Sequence, residues 1–199
     1  MGPSIDTVGT TAATISAVDD FDETLAAAQR GDEVAFTSIF RALNPAVVRY
    51  LVVLAGQGAA EDLAAETWTA ALRGFSSFTG EERALRAWLL TIARARWVDA
   101  VRAHARRPEV LTDTAPEVLA PDTVHDVVAE WLGTDGALAL IRRLPEDQAE
   151  VISLRVIGDF DVAEVAEMVG KTANHVRVLS HRGLKRLAQL LGEKPPEGV

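Results

Sequence analysis

Side chains that can hydrogen-bond to bases and phosphates gather between residues 172 and 186. Asn and Arg can each make two hydrogen bonds to a base edge, whereas Lys and Arg neutralise phosphate charge. On a helix these residues would share one exposed side. Its predicted polar members are Asn174, His175, Arg177, His181, Arg182, Lys185 and Arg186, with Val178 among them. The spacing indicates a surface that could read DNA.

A helix-turn-helix would position that surface. Ala166 is small where two helices must approach closely, and Gly170 permits the positive φ of a tight turn. Asp161 and Thr172 are suitable N-caps for the two helices. The second helix would enter the major groove, with a buried side predicted at Val176, Leu179, Gly183 and Leu187. The alternatives are a plain three-helix core with a basic surface, or a metal site at two histidines that has no further ligand candidates nearby.

A second basic segment lies between residues 81 and 107, with seven arginines and three acids. A helix is predicted over 84–106, preceded by a loop from Gly74 to Glu82 that holds Phe75 and Phe78. Its predicted core face is Trp88, Leu89, Ile92, Val98 and Val101, and its basic face is Arg86, Arg94, Arg96, Arg102, Arg106 and Arg107. Arginines beside aromatic rings can hold single-stranded DNA. Taken alone, Trp88 and Trp97 are more typical of a core.

The net charge of −9 does not reveal the two basic segments, because residues 108–140 hold seven acids and neither Lys nor Arg. Two basic segments are thus separated by an acidic one, as expected of a protein that meets DNA at two places. There is no cysteine, which excludes disulfides and thiolate chemistry. Since no phosphate-binding glycine loop or nucleophile motif is present either, we expect no catalytic residue, no cofactor and no metal.

The order of elements predicts an all-α chain with two small helical domains, at 21–107 and 136–192. They would be joined by a flexible acidic linker at 108–135 and flanked by disordered tails at 1–20 and 193–199. Helices are expected from Asp22, over 32–55, 59–73 and 84–106, and over 137–143, 146–156, 162–169 and 173–191. Pro45 should kink the second helix or start a new one, and Gly56 to Gly58 should form a turn. The core candidates of the third helix are Leu63, Trp68 and Leu72. A short helix in the linker is expected around Val127, Val128 and Trp131.

Neither a secretory leader nor an apolar run long enough to span a bilayer is apparent, the longest clear run being Tyr50 to Ala55. We therefore expect a cytoplasmic protein without membrane insertion.

Three stretches of sequence resemble one family when they are taken together. Glu61 to Trp68 (EDLAAETW) resembles the part of sigma factor region two that binds the polymerase clamp. Ala87 to Asp99 (AWLLTIARARWVD) resembles the helix that melts and reads the downstream promoter element. Leu144 to Ile152 (LPEDQAEVI), the helix-turn-helix and His181 to Leu187 (HRGLKRL) are similar to region four. This order resembles the extracytoplasmic-function sigma factors, which keep only regions two and four.

The resemblance implies partners and residue roles. The partners would be core RNA polymerase, through the clamp of its largest subunit and the flap of its second subunit, promoter DNA, and an anti-sigma factor. The clamp contacts would be Glu61, Asp62 and Glu66. The downstream element, opened to a single strand, would be held by Phe75, Phe78, Arg83, Trp88, Arg94, Arg96 and Arg102. The double-stranded upstream element would be held by Thr172, Asn174, His175, Arg177, His181, Arg182 and Lys185.

The sequence leaves two rival functions, of which an enzyme is the weaker because the motifs of catalysis are missing. A helix-turn-helix regulator could act on DNA without joining polymerase, with an N-terminal half that senses a ligand or dimerises. A pull-down with core polymerase separates the two functions.

Overall fold

A computed structural model describes residues 18–105 and 135–191 of the chain. Within these two ranges all regular structure is α-helical, and the predicted all-α class is confirmed. The N-terminal group contains α1 (Val18–Gln29), α2 (Glu33–Ala55), α3 (Gln57–Phe75) and α4 (Glu82–Ala105). The C-terminal group contains α5 (Asp135–Arg142), α6 (Glu146–Val156), α7 (Val162–Val169) and α8 (Ala173–Leu190). Helix α1 begins at Val18, so the predicted disorder is wrong for residues 18–20. The rest of the predicted tails, almost all of the acidic linker, and its short helix lie outside the described residues.

Helix α2 is the centre of the N-terminal group, because α1, α3 and α4 all pack against it. Asp32 caps its start by accepting hydrogen bonds from the backbone amides of Val34 and Ala35 at 2.9 and 3.0 Å. Its buried side chains are Ile39, Leu43, Ala46, Val47, Tyr50, Leu51 and Val53. The cores of α3 and α4 close on this stripe with Leu63, Trp68, Leu85, Leu89, Leu90 and Trp97. Burial of one apolar stripe per helix thus holds the group together.

Two features of α2 bear on the sequence-based expectations. Pro45 lies inside the helix, and the helix continues through it. Arg41, whose carbonyl loses its i+4 donor to a proline, is exposed and accessible to water. By length and composition α2 could also cross a membrane, although its longest clear apolar run is only Tyr50 to Ala55. The packing of α2 against α1, α3 and α4, and against α5 and α6 of the C-terminal group, accounts for its apolar composition.

The α2–α3 and α3–α4 connections are shorter than predicted. Gly56 alone separates α2 from α3, with a φ of 83° that favours glycine, so the predicted three-residue turn is wrong. Helix α3 continues through Phe75, which places this residue in the helix rather than in the loop. The core assignments of Leu72 and Val101 are also wrong, since these side chains are 55% and 51% exposed. Both lie beside, and not within, the buried stripe of their helix.

The C-terminal group contains the predicted helix-turn-helix. Asp161 caps α7 through a capping box with Glu164, and Gly170 ends the helix with a φ of 66°. The Thr172 hydroxyl caps α8 by accepting a hydrogen bond from the His175 amide at 3.2 Å. The predicted buried side of α8 is confirmed at Val176, Leu179, Gly183 and Leu187. Local capping and a glycine turn therefore fix the orientation of the second helix.

We expect Gly183→Ala to lower the stability of the C-terminal group by about 1 kcal/mol. A Cβ at this position would lie 2.8 Å from Cγ1 of Ile152, whose side chain is buried. Overpacking costs about 1–3 kcal/mol, which exceeds the gain of about 1 kcal/mol from replacing a helical glycine. Thermal unfolding followed by circular dichroism measures the effect. Gly136→Ala on α5 has open space around the new methyl and serves as a control, and a Gly183→Ala variant that unfolds at or above the wild-type temperature would contradict the packing argument.

Candidate nucleic-acid interface

The polar side of α8 is open to solvent. Every predicted upstream-element residue on this helix is exposed: Asn174, His175, Arg177, His181, Arg182 and Lys185. Thr172 is exposed as well, but its hydroxyl accepts the capping hydrogen bond, so it also orients the helix start. Val178 is 37% exposed within the same surface, which makes it the apolar member of an otherwise polar face. The arrangement offers charge, paired hydrogen-bonding groups and one apolar contact to a DNA groove.

The acidic residues predicted to bind the polymerase clamp lie on the exposed side of α3. Glu61, Asp62 and Glu66 are all exposed. Asp62 and Glu66 lie one turn apart, with Glu61 next to Asp62, on the side opposite the buried Leu63 and Trp68. The core thus holds these carboxylates on a rigid helix, where they form an acidic surface able to receive a basic partner.

The aromatic residues predicted to hold an unstacked base occupy different depths. Phe75 is buried and meets the Phe36 ring edge-on, with centroids 5.5 Å apart. Phe78 and Trp88 are partly exposed and stack at 5.4 Å. Gln29 stabilises the turn between Phe75 and Phe78. Its side-chain amide donates hydrogen bonds to the carbonyls of these two residues at 2.9 and 2.8 Å. Sequence reasoning missed Gln29, since no motif marks a contact to residues 46 and 49 positions away.

The arginines predicted to grip the opened strand also differ in their surroundings. Arg102 is exposed, and Arg96 is partly exposed beside Asp99, with a side-chain separation of 3.7 Å. Arg83 and Arg94 instead pair with acidic residues of the C-terminal group. These four guanidinium groups of α4 are therefore not equally available to bind DNA phosphates.

Arg83 is held by a two-pronged contact with α7. Its Nε and Nη2 donate hydrogen bonds to the two carboxylate oxygens of Glu164 at 2.9 and 2.7 Å. Asp159 lies 3.5 Å from the same guanidinium, and the Phe160 ring centroid lies 5.6 Å away. The hydrogen bond from Arg83 holds the pKa of Glu164 below its usual range, and the same bond raises the pKa of Arg83. Both groups are thus charged in the pair.

Arg94 meets a buried acid of α6. Its Nε donates a hydrogen bond to Oε1 of Glu150 at 2.5 Å, and the Glu150 side chain is only 3% exposed. Burial lowers the pKa of Arg94, but the hydrogen bond and charge of Glu150 outweigh this, and the net shift is upward. Burial also raises the pKa of the nearby Tyr50 hydroxyl, and the negative charge of Glu150 adds to that rise. Tyr50 therefore stays neutral beside the pair.

Sequence reasoning missed the three acids that bind these arginines. One signal for Glu150 was present, because it lies among Ala149, Val151 and Ile152 in a helix buried on most sides. A charge in such a segment needs a partner of opposite sign. Asp159 and Glu164 carry no comparable signal in the sequence. Among the described residues no group of three or more His, Asp or Glu is arranged to hold a metal.

Comparison with protein families matches the two helical groups separately. The family described as Sigma-70 region 2 matches residues 39–107, and Sigma-70, region 4 matches residues 135–187. The ECF RNA polymerase sigma factor BldN of Streptomyces coelicolor is 36% identical over 169 residues, which cover 82% of this chain and 63% of BldN. The ECF RNA polymerase sigma factor SigD of Mycobacterium tuberculosis is 31% identical over 172 residues, which cover 83% of this chain and 81% of SigD.

Solved structures have the same fold. The sigma factor RpoE of Bartonella quintana, solved in complex with the anti-sigma factor NepR, aligns with a TM-score of 0.60 at 23% identity, covering 79% of this chain and 96% of RpoE. CnrH, solved with the cytosolic domain of CnrY, aligns with a TM-score of 0.57 at 22% identity, covering 87% of this chain and 98% of CnrH. With both family regions present in order and relatives that match over most of their length, the chain belongs to the extracytoplasmic-function family of RNA polymerase sigma factors.

Proposed function

We propose that this chain is the promoter-specificity subunit of a bacterial RNA polymerase, with no catalytic step of its own. It would bind the core enzyme in the cytoplasm, read an upstream promoter element and hold the opened strand of a downstream element. The observation that carries this proposal is the exposed polar face of α8, held in a capped helix-turn-helix. Family membership supports this function over that of a regulator that acts without polymerase.

Polymerase binding is assigned to the acidic surface of α3. Glu61, Asp62 and Glu66 would pair with basic residues on the clamp of the largest subunit, while the C-terminal group would contact the flap of the second subunit. The exposure of all three acids on one rigid helix supports this assignment. Charge complementarity at such a surface speeds association and fixes orientation.

Strand capture is assigned to α4 and the aromatic residues beside it. Arg96 and Arg102 would contact phosphates, and the partly exposed Phe78 and Trp88 would take an unstacked base. Phe75 would act from the core, by supporting the turn that carries Phe78. Capture would exchange stacking worth a few kcal/mol per base for stacking on protein rings and contacts with arginines.

An inhibitory partner is the remaining element of the proposal. RpoE of Bartonella quintana was solved with an anti-sigma factor. We propose that an anti-sigma factor likewise binds this chain and covers its polymerase-binding or DNA-binding surfaces.

Run-off transcription tests the proposed function. Purified chain is added to core polymerase that carries no other sigma factor, with genomic fragments as templates. Discrete transcripts that depend on the added chain are expected. A pull-down with core polymerase runs in parallel, and a chain that binds DNA but neither binds polymerase nor selects a start site would overturn the proposal in favour of the independent regulator.

Val178 is predicted to contact a thymine methyl in the upstream element. It lies between Asn174 and His181 on the reading face, and apolar side chains recognise thymine by its C5-methyl group. Replacing that thymine with deoxyuridine should weaken binding of the polymerase complex about fourfold, as expected for about 0.8 kcal/mol per methyl. The Val178→Ala variant should respond less to the same replacement. Equal sensitivity in the variant and the wild type would show that the methyl is not read by Val178.

A further inference from the structure

The turn between α3 and α4 is held by a side chain from a third helix. This turn, residues 76–81, is called the aromatic turn here because it carries Phe78, one of the two rings assigned to an unstacked base. Gln29 is the last residue of α1, and its Nε2 donates hydrogen bonds to the Phe75 and Phe78 carbonyls at 2.9 and 2.8 Å. Since the last carbonyls of a helix have no donor within the helix, Gln29 caps α3 from a distant part of the chain.

The hydrogen bonds that the aromatic turn makes with its own backbone amides are long. The Ser77 amide donates to the Gly74 carbonyl at 3.2 Å. The Phe78 amide donates to the Phe75 carbonyl, also at 3.2 Å. Both distances stand at the long end of the range for N–H···O hydrogen bonds, whereas those from Gln29 lie near its centre. The Gln29 amide is therefore the stronger support of the turn.

Both rings of the stacked pair lie against glycines. A Cβ built on Gly74 would lie 3.2 Å from Cζ2 of Trp88, and a Cβ built on Gly80 would lie 3.3 Å from Cζ of Phe78. Gly80 also has a φ of 146°, a conformation that favours glycine. Because the rings contact the backbone so closely, a shift of the turn changes the space beside them.

Apolar packing attaches α1 to the rest of the N-terminal group. Its Leu25 and Ala28 are buried in the core of that group. This packing does not require a hydrogen bond from Gln29. The two hydrogen bonds of Gln29 therefore act on the aromatic turn, and a chain that lacks them should keep its fold.

We propose that Gln29 is a positioning residue that determines which base of the opened strand the aromatic turn accepts. The inference rests on the proposed function of strand capture and assigns its selectivity to a side chain outside α3 and α4. Gln29 would act through the backbone of Phe78, by holding the ring where it and Trp88 leave a space of one size. A rigid site rejects a base that does not fit, whereas a mobile one adapts to several.

The test uses Gln29→Met in the full-length chain bound to core polymerase. Methionine has about the same length as glutamine but cannot donate a hydrogen bond. The matched control is Leu25→Val, which loosens the packing of the same helix and leaves the Gln29 amide in place. Thermal melts show how much stability each variant loses. The DNA has a duplex upstream element and a single-stranded downstream segment, in which each position holds each of the four bases in turn.

Binding of these DNAs is followed by fluorescence anisotropy. The wild-type complex should prefer one base at the captured position, and Gln29→Met should reduce that preference about tenfold. The loss of two hydrogen bonds of ordinary strength accounts for a change of this size. Leu25→Val should keep the preference, although it melts at a lower temperature than the wild type. Affinity for the duplex upstream element alone should be the same in all three chains.

Hydrogen exchange of the free chain tests the contact without polymerase or DNA. Mass spectrometry of peptides that cover residues 76–81 should show about tenfold faster exchange of the Ser77 and Phe78 amides in Gln29→Met. Leu25→Val should leave this exchange unchanged. Equal exchange in Gln29→Met and the wild type would overturn the role of Gln29 in holding the turn, whatever the function of the chain.

Two further results would overturn the role of Gln29 in selectivity. One is faster exchange in Gln29→Met with an unchanged base preference. The other is an equal loss of preference in Leu25→Val, which would make the effect one of stability. Failure of the proposed function is seen separately, as a wild-type complex that does not bind the single-stranded segment although Gln29 protects the turn from exchange.

Discussion

Trp68→Ala is expected to lower the free energy of unfolding of the N-terminal group by about 3–5 kcal/mol, the usual cost of removing a buried indole. The Trp68 ring is buried and meets Phe36 and Phe40 at centroid distances of 6.1 and 4.9 Å. Its Nε1 donates a hydrogen bond to Oδ1 of Asn44 at 2.9 Å. The loss would be a large part of the stability of a small domain, about 5–15 kcal/mol. Urea unfolding followed by circular dichroism measures it.

Trp68→Phe is the matched control. It keeps an aromatic ring in the core but removes the hydrogen bond to Asn44, and should therefore cost less than the alanine variant. Because α3 also carries Glu61 and Glu66, Trp68→Ala should reduce polymerase binding without touching the partner. An alanine variant that loses less than about 1 kcal/mol would mean that Trp68 is not central to this core.

Arg177→Ala is expected to weaken binding of the upstream element by the polymerase complex about 10- to 100-fold, which corresponds to about 1–3 kcal/mol. Arg177 is exposed on α8, so the fold should not change. The loss should be largest on the preferred sequence and small on other duplexes, because a base contact carries sequence information. Fluorescence anisotropy with promoter duplexes that differ at single base pairs measures both values.

Two variants separate charge from recognition. Arg177→Lys keeps the positive charge but cannot make the paired hydrogen bonds of a guanidinium, and should lose most of the discrimination. Arg186→Ala, at an exposed position further along α8, should weaken all duplexes alike and reduce the salt dependence. If Arg177→Ala also weakened all duplexes equally, Arg177 would be a phosphate contact rather than a base contact.

The sequence predicted the C-terminal group well because its signals are local. The predicted ranges 146–156 and 162–169 coincide with α6 and α7. Asp161, Gly170 and Thr172 mark helix ends by backbone geometry and capping, which act within a few residues. The exposed face of α8 then follows from helical periodicity, and the sequence was sufficient to predict it.

The errors in the N-terminal group have the same physical origin. One glycine at residue 56 ends a helix as effectively as a longer turn, and nothing nearby shows how soon the next helix begins. Leu72 and Val101 are apolar and follow the helical spacing of a core face. Whether such a side chain is buried depends on whether a neighbouring helix packs against it. Hydrophobic periodicity is a property of one helix, whereas burial depends on how several helices pack together.

Contacts between the two groups could not be predicted from the sequence. Arg94 and Glu150 are 56 positions apart, and Arg83 and Glu164 are 81 apart. The basic face of the predicted helix assigned Arg94 to DNA, and the family resemblance assigned Arg83, but neither local signal includes a distant acid. An acid among apolar neighbours, as at Glu150, is the one local sign that a distant cation is required.

Glu164 serves its own helix and the neighbouring domain at the same time. One of its oxygens accepts a hydrogen bond from the Asp161 amide at 2.7 Å while the carboxylate also binds Arg83. The Asp161 amide thus helps to fix the orientation of the carboxylate that meets Arg83. Such preorganisation reduces the entropy lost on association.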